Sequence, residues 1–402
     1  MTSSLRQNRN GATCCLRRAR MLGLAAVLAV CTTVFAEPYE PESDDTVLIR
    51  VPAATSSRQT QSLRRALASN PQDLNAALDL ARAWLDAGRR EGDPRFFSYV
   101  QATLEPWIER NDASVDVLVL AATSLQSLHR FTQAQSLLDR ALASDPRNAQ
   151  AWLTKATLLQ VHGDFAAARS ACSHLVGVTD HRIALGCLLS AQSMNGRLAE
   201  SYAALSRVMT NHNGLDGATL SWLSSLLGEM AVRLAKDSAA QRHFQLALKT
   251  DPDDSYARGE LADLYLRQSR YAEVIALLTT HEAHDPLLLR LAIAGKQLDT
   301  SAGKRWMSMY EARYKAAQRA GDATHLREHA RYLLEVLGDA NSALQVAERN
   351  WRTQREPADI RLYWRTAIAS GRSLDVIDAW IATHDYQDAT LDPKLTAVEV
   401  RP

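Results

Sequence analysis

The sequence predicts an all-α solenoid, a row of antiparallel helical hairpins stacked side by side, and three observations point to it. Asparagine-proline or aspartate-proline pairs recur at Asn70-Pro71, Asp145-Pro146, Asp251-Pro252 and Asp285-Pro286. Their prolines lie 75, 106 and 34 residues apart, which is two, three and one units of about 34 with short insertions. Between them a second turn recurs, at Gly163-Asp164-Phe165, Gly196-Arg197-Leu198, Ser269-Arg270-Tyr271, Gly338-Asp339-Ala340 and Gly371-Arg372. Apolar residues at three- and four-residue spacing flank each turn, the pattern of two amphipathic helices with a glycine ending the first. With 12 prolines and 17 glycines in 402 residues, and 46% of the chain apolar, low-complexity and turn-dominated classes are excluded.

The chain opens on a leader. Arg6, Arg9, Arg17, Arg18 and Arg20 precede the uncharged run MLGLAAVLAVCTTVFA, residues 21–36. This reads as a secretory signal peptide, residues 1–36, cut after Ala36, with Val34 and Ala36 as the small residues a signal peptidase needs. The run is shorter than the roughly 20 residues of a spanning helix, so an uncleaved inner-membrane anchor is the alternative. A lipoprotein signal around Leu28-Ala29-Val30-Cys31 ranks below both, because Val30 is the wrong residue before the cysteine. Cleavage removes five arginines and no acid, taking the net charge from +1 to about −4. A polyanion partner such as nucleic acid, or membrane adhesion by charge, is then not expected. The expected compartment is the bacterial periplasm, or the exterior.

Residues 37–60 form an acidic, extended linker, with Glu37, Glu40, Glu42, Asp44 and Asp45 at its start and a strand-like TVLIRV at 46–51. The solenoid follows over 61–290. The stretch 149–182 carries Trp152, Ala156, Leu159, Gly163, Phe165, Ala168 and Leu175. The stretch 115–148 carries Leu118, Ala122, Leu125, Phe131, Ala134, Ala141 and Pro146, and 255–288 carries Leu261, Ala262, Tyr265, Tyr271 and Pro286. Small residues in these registers allow helix backbones to approach, and large ones fill the space between hairpins. Each unit resembles a tetratricopeptide repeat. The blocks 74–114, 182–215 and 221–254 follow the pattern with substitutions, whereas 287–320, 324–357 and 358–390 keep the helix pairs but lose most family positions. Five fair repeats and three or four degenerate ones result, with residues 291–390 as a degenerate helical C-terminal region and 391–402 as a tail. The resemblance implies a right-handed superhelix.

Cleavage of the leader leaves Cys172 and Cys187 as the remaining thiols. A bridge between them is allowed by their place on adjacent hairpins, but buried, unpaired cysteines are the expectation. No CxxC or paired zinc spacing, phosphate loop, GxSxG or HExxH occurs, so no cofactor and no enzymatic activity is expected. His325-Leu326-Arg327-Glu328-His329 fits the HxxEH pattern of inverted zinc peptidases, which makes a zinc hydrolase on His325, Glu328 and His329 the rival from another class.

In tetratricopeptide solenoids the first helix of each hairpin lines a concave groove. Carried onto this sequence, the groove positions of two neighbouring units hold Trp222, Glu229 and Arg233, then Tyr256, Asp263 and Arg267. Stacking would present an aromatic, an acidic and an arginine pair as ladders, and aromatics with arginine are the residues that anchor protein interfaces. The packing alternative is that Trp222 belongs to a helix interface and the charges to a solvated face. The lysine, arginine and asparagine set that clamps chaperone C-termini is absent from 115–182. The resemblance implies a non-enzymatic scaffold binding a protein segment in the groove, or an accessory solenoid of envelope assembly or polysaccharide export.

Overall fold

A computed structural model describes residues 58–319 and 324–391. The leader, the TVLIRV segment and the tail beyond residue 391 lie outside the described residues. What is described belongs to one compact unit, residues 56–402. Every regular element among the described residues is helical.

Helix α1 (Arg58–Ser69) precedes nine hairpins: α2 (Leu74–Glu91) with α3 (Arg95–Ile108), α4 (Val115–Ser127) with α5 (Phe131–Ser144), α6 (Ala149–Val161) with α7 (Phe165–Ser173), α8 (His181–Ser193) with α9 (Leu198–Val208), and α10 (Gly217–Arg233) with α11 (Asp237–Thr250). Then come α12 (Ser255–Arg267) with α13 (Tyr271–Leu278), α14 (Asp285–Gln297) with α15 (Ser301–Arg319), α16 (Leu326–Arg331) with α17 (Ala340–Trp351), and α18 (Pro357–Ala369) with α19 (Asp375–His384). Helix α16 runs on as a π-helical turn, Tyr332–Leu337. The solenoid expected from the sequence is present, and the hairpins beyond residue 290 are as helical as those before it.

The recurrent prolines mark boundaries between hairpins. Asn70, Asp145 and Asp251 end one helix segment, proline turns the chain, and Asp73, Asn148 and Asp254 cap the next helix by accepting the amides of Ala76, Ala151 and Ala257 at 3.0, 2.9 and 2.9 Å. Asp285-Pro286 departs from this. There the proline sits in the first turn of α14, where its missing N–H costs nothing. Within hairpins, Gly163, Gly196, Gly338 and Gly371 adopt left-handed φ as expected. The same turn in four other hairpins is made by His129, Ala235, Ser269 and Asp299 at positive φ, which is why glycine did not mark it there.

First helices touch first helices along the row, α2 on α4 through to α12 on α14. Alanines and leucines fill the seams, among them Ala231, Ala262, Leu288 and Ala292, all at or near zero exposure. Helices α14 and α15 approach closely. A Cβ added to Gly303 would lie 2.3 Å from the Gly295 carbonyl oxygen, so two glycines let these backbones meet.

One expectation is corrected. Cys172 on α7 and Cys187 on α8 are not free thiols but form a disulfide, with Cα atoms 5.6 Å apart. Both are buried among Ala156, Ala171, Leu175 and Ala184, so the hairpin packing that buries them also brings their Cα atoms into bridging range. Periodicity places each cysteine on a helix but not the rotation of α8 against α7.

Candidate functional site: the concave interior

The row of hairpins curls tightly enough for distant repeats to bond. Ser255 Oγ donates to the Arg89 carbonyl at 3.1 Å, linking α12 to α2. From the C-terminal side, Arg355 donates its backbone N–H to the Val161 carbonyl and its guanidinium to the His162 carbonyl, both at 2.7 Å. Asn195 donates to the His384 carbonyl at 2.7 Å, and the Ala389 N–H donates to the Arg233 carbonyl at 2.8 Å. The last hairpins therefore lie against α6, α8 and α10. The inner helix faces border an open cavity of about 500 Å³, and a second of about 380 Å³ shares Arg89, Tyr256, Arg327 and Glu356 with it.

All six groove residues lie on α10 and α12, and the structure gives them different tasks. Trp222 lines the cavity while its ring also packs over Gly186 on α8. Tyr256 keeps 49% of its surface accessible, facing both cavities. Its hydroxyl donates to Glu229 Oε1 at 2.6 Å, joining the two repeats. Burial, with the nearby charge of Glu260, pushes the Glu229 carboxyl up to about 7, against the pull of the Tyr256 hydroxyl and Arg233. Loss of solvent around the hydroxyl end, with the Glu229 charge beside it, likewise raises the Tyr256 hydroxyl well above its ordinary value.

The other three are structural anchors. Arg233 is buried, donates to the Ser193 carbonyl at 2.9 Å and to Ser193 Oγ at 2.5 Å, and lies 5.5 Å from the Tyr386 ring. Asp263 accepts from Arg290 on α14 at 2.5 Å and from both terminal nitrogens of Arg331 on α16 at 2.9 and 3.1 Å. Burial alone would raise its carboxyl, but the two guanidiniums hold it well below the usual carboxylate range. Arg267, at the end of α12, pairs with Asp237 at the start of α11 at 3.3 Å.

A charge network that sequence reasoning missed continues inside the C-terminal hairpins. Arg327 pairs with Asp359 at 2.6 Å and with Glu356, Arg361 with Asp388 at 3.0 Å, and Arg331 and Arg365 share Glu335 at 3.1 Å each. A signal was available: Arg327 and Arg361, like Arg331 and Arg365, are 34 residues apart and so repeat one register in successive units.

The HxxEH residues do not converge on a site. His329 is buried edge-on against the Tyr314 ring, 4.9 Å between centroids, and Glu328 is kept ionised by Arg327 and His325 despite its burial. Among the described residues no group of three histidine, cysteine, aspartate or glutamate side chains is disposed to hold a metal ion. No helix among them is long and apolar enough to cross a membrane.

Stacked hairpins with a lined concave interior define an α-helical repeat scaffold. The tetratricopeptide repeat family profile matches residues 119–178 and 226–286, so the chain carries tetratricopeptide repeats in those two stretches. Solved structures similar to it include human IFIT1 with m7Gppp-AAAA, at 12% identity over 81% of this chain and 76% of that one with a TM-score of 0.47. Yeast Tom70 shares 12% identity over 84% and 83% with a TM-score of 0.38. Pseudomonas aeruginosa PilF shares 16% over 64% and 94% with a TM-score of 0.28. No curated protein matches the sequence.

Proposed function

We propose that the chain is an exported, non-catalytic scaffold that holds a segment of a partner protein in its concave interior. The observation that carries the reading is the division of labour among the groove residues. Arg233, Asp263 and Arg267 are consumed in fixing the frame, while Trp222, Glu229 and Tyr256 border unfilled space of about 500 Å³, within the usual range for a ligand site. A frame held before the partner arrives loses little ordering entropy on binding. Export to an oxidising compartment is supported by the arginine-rich leader followed by an apolar run, and by the Cys172–Cys187 disulfide.

The test places a photo-crosslinking amino acid at position 256 and, as control, at the exposed position Val176. The protein crosslinked from position 256 alone is identified, purified and titrated against the wild type and Trp222→Ala. The reading requires at least about a tenfold loss of affinity with unchanged helical circular dichroism. Equal crosslinking from both positions, or unaltered affinity in Trp222→Ala, would refute it.

A further inference from the structure

We propose that the group entering the cavity is an organic cation, the lysine or arginine side chain of the partner segment, held between Glu229 and Glu260 and against Tyr256 and Trp222. The proposal rests on the cavity being the partner's seat. Its first support is the balance of charge. Of the arginines bordering the cavity, Arg327 and Arg361 already face Asp359, Glu356 and Asp388 at ion-pair distance, whereas Arg233 meets the neutral Ser193 oxygens and its buried Nε has no hydrogen-bond partner among the described residues. Arg89 is exposed. Glu229 and Glu260 form no ion pair among the described residues, and Glu229 has only the Tyr256 hydroxyl. Arg327 and Arg361 are thus already matched by carboxylates, and Glu229 and Glu260 are the carboxylates of the wall left for a cationic guest.

The second support is the wall. Trp222 and Tyr256 come from equivalent places in adjacent repeats and border the same space as the two carboxylates, and aromatic faces beside carboxylates select ammonium and guanidinium groups. The third is Ser225. It is 3% exposed, lines the cavity, and its Oγ has no hydrogen-bond partner among the described residues. A buried hydroxyl left unmatched is costly, and an N–H donor in the cavity would satisfy it. An unpaired cationic side chain pushed into the same space without the glutamates would pay its whole desolvation penalty, so the carboxylates decide the chemistry of the guest.

The full folded chain is titrated by calorimetry with four probes: the blocked pentapeptide Ala-Ala-Lys-Ala-Ala, its norleucine and glutamate counterparts, and free cadaverine. The lysine peptide is expected to bind at least about tenfold more tightly than the norleucine peptide, and to lose about that factor in Glu229→Gln and in Glu229→Gln/Glu260→Gln. Glu229 faces Tyr256, Glu260, Arg233 and Glu356 and titrates at about 7, so the same binding should strengthen from pH 6 to pH 8. Norleucine or glutamate peptides binding as tightly as lysine would overturn the cation assignment and leave the seat intact. Cadaverine binding without the lysine peptide would overturn the partner side chain as the source. No binding by any probe, with position 256 also failing to crosslink a protein, would overturn both readings together.

Discussion

Replacing Asp263 with asparagine separates the frame from the binding wall. In the native chain the Asp263 carboxylate is 23% exposed and holds Arg290 and Arg331, which are 10% and 12% exposed. These three side chains bind α12 to α14 and to α16, across a sequence separation of 68 residues. Removing one charge from such a cluster strands the others, at a cost of about 3–5 kcal/mol. Arg331 keeps Glu335 at 3.1 Å and Arg290 keeps the Gly259 and Pro286 carbonyls, so the low end, about 3 kcal/mol, is expected. The folded-state carboxyl is depressed, so its contribution is complete above the unfolded value of about 4 and is lost as pH falls below that. Urea unfolding followed by circular dichroism at pH 7 and pH 3 should show the gap between wild type and Asp263→Asn narrowing by roughly 1 kcal/mol at the lower pH. A gap under about 1 kcal/mol at pH 7, or the same gap at both pH values, would show that this carboxylate does not bind the hairpins together.

Two further outcomes follow from packing and covalent closure. Gly303→Ala should destabilise the chain by about 2–3 kcal/mol, because the new methyl meets Gly295 backbone that has no rotamer to change; a urea midpoint equal to wild type would contradict the close crossing. Reduction, or Cys172→Ser with Cys187→Ser, opens a loop closed over 15 residues and should lower stability by about 3 kcal/mol in a thermal melt; equal melting with and without reductant would mean that the bridge does not constrain the unfolded chain.

How much of this was legible in the sequence differs from element to element. Period and turn chemistry identified all nine hairpins, because Asp254 or Asn148 after a proline has one good use, as a cap. Turns built on Ala235 or His129 gave no such sign, since there the tertiary packing imposes a left-handed residue of ordinary type. The groove register singled out Trp222, Glu229 and Tyr256, which border the cavity. It could not tell them from Arg233 and Asp263, whose partners come from residues 193, 290 and 331, because the register of one helix says nothing about the pitch of the superhelix that brings those partners near. The disulfide escaped for a related reason, as it depends on how α8 is rotated against α7.

The backward contacts of the final hairpins bear on the order in which the molecule is completed. A nascent chain emerges N-terminus first. Until Arg355, His384 and Ala389 arrive to meet Val161, Asn195 and Arg233, the first eight hairpins would lack these closing bonds, leaving the Glu229 and Glu260 wall open on that side. The stretch from Arg355 to Ala389 is thus the closing piece. A premature stop codon near residue 350 would leave most repeats intact and still remove the residues that bridge distant parts of the row.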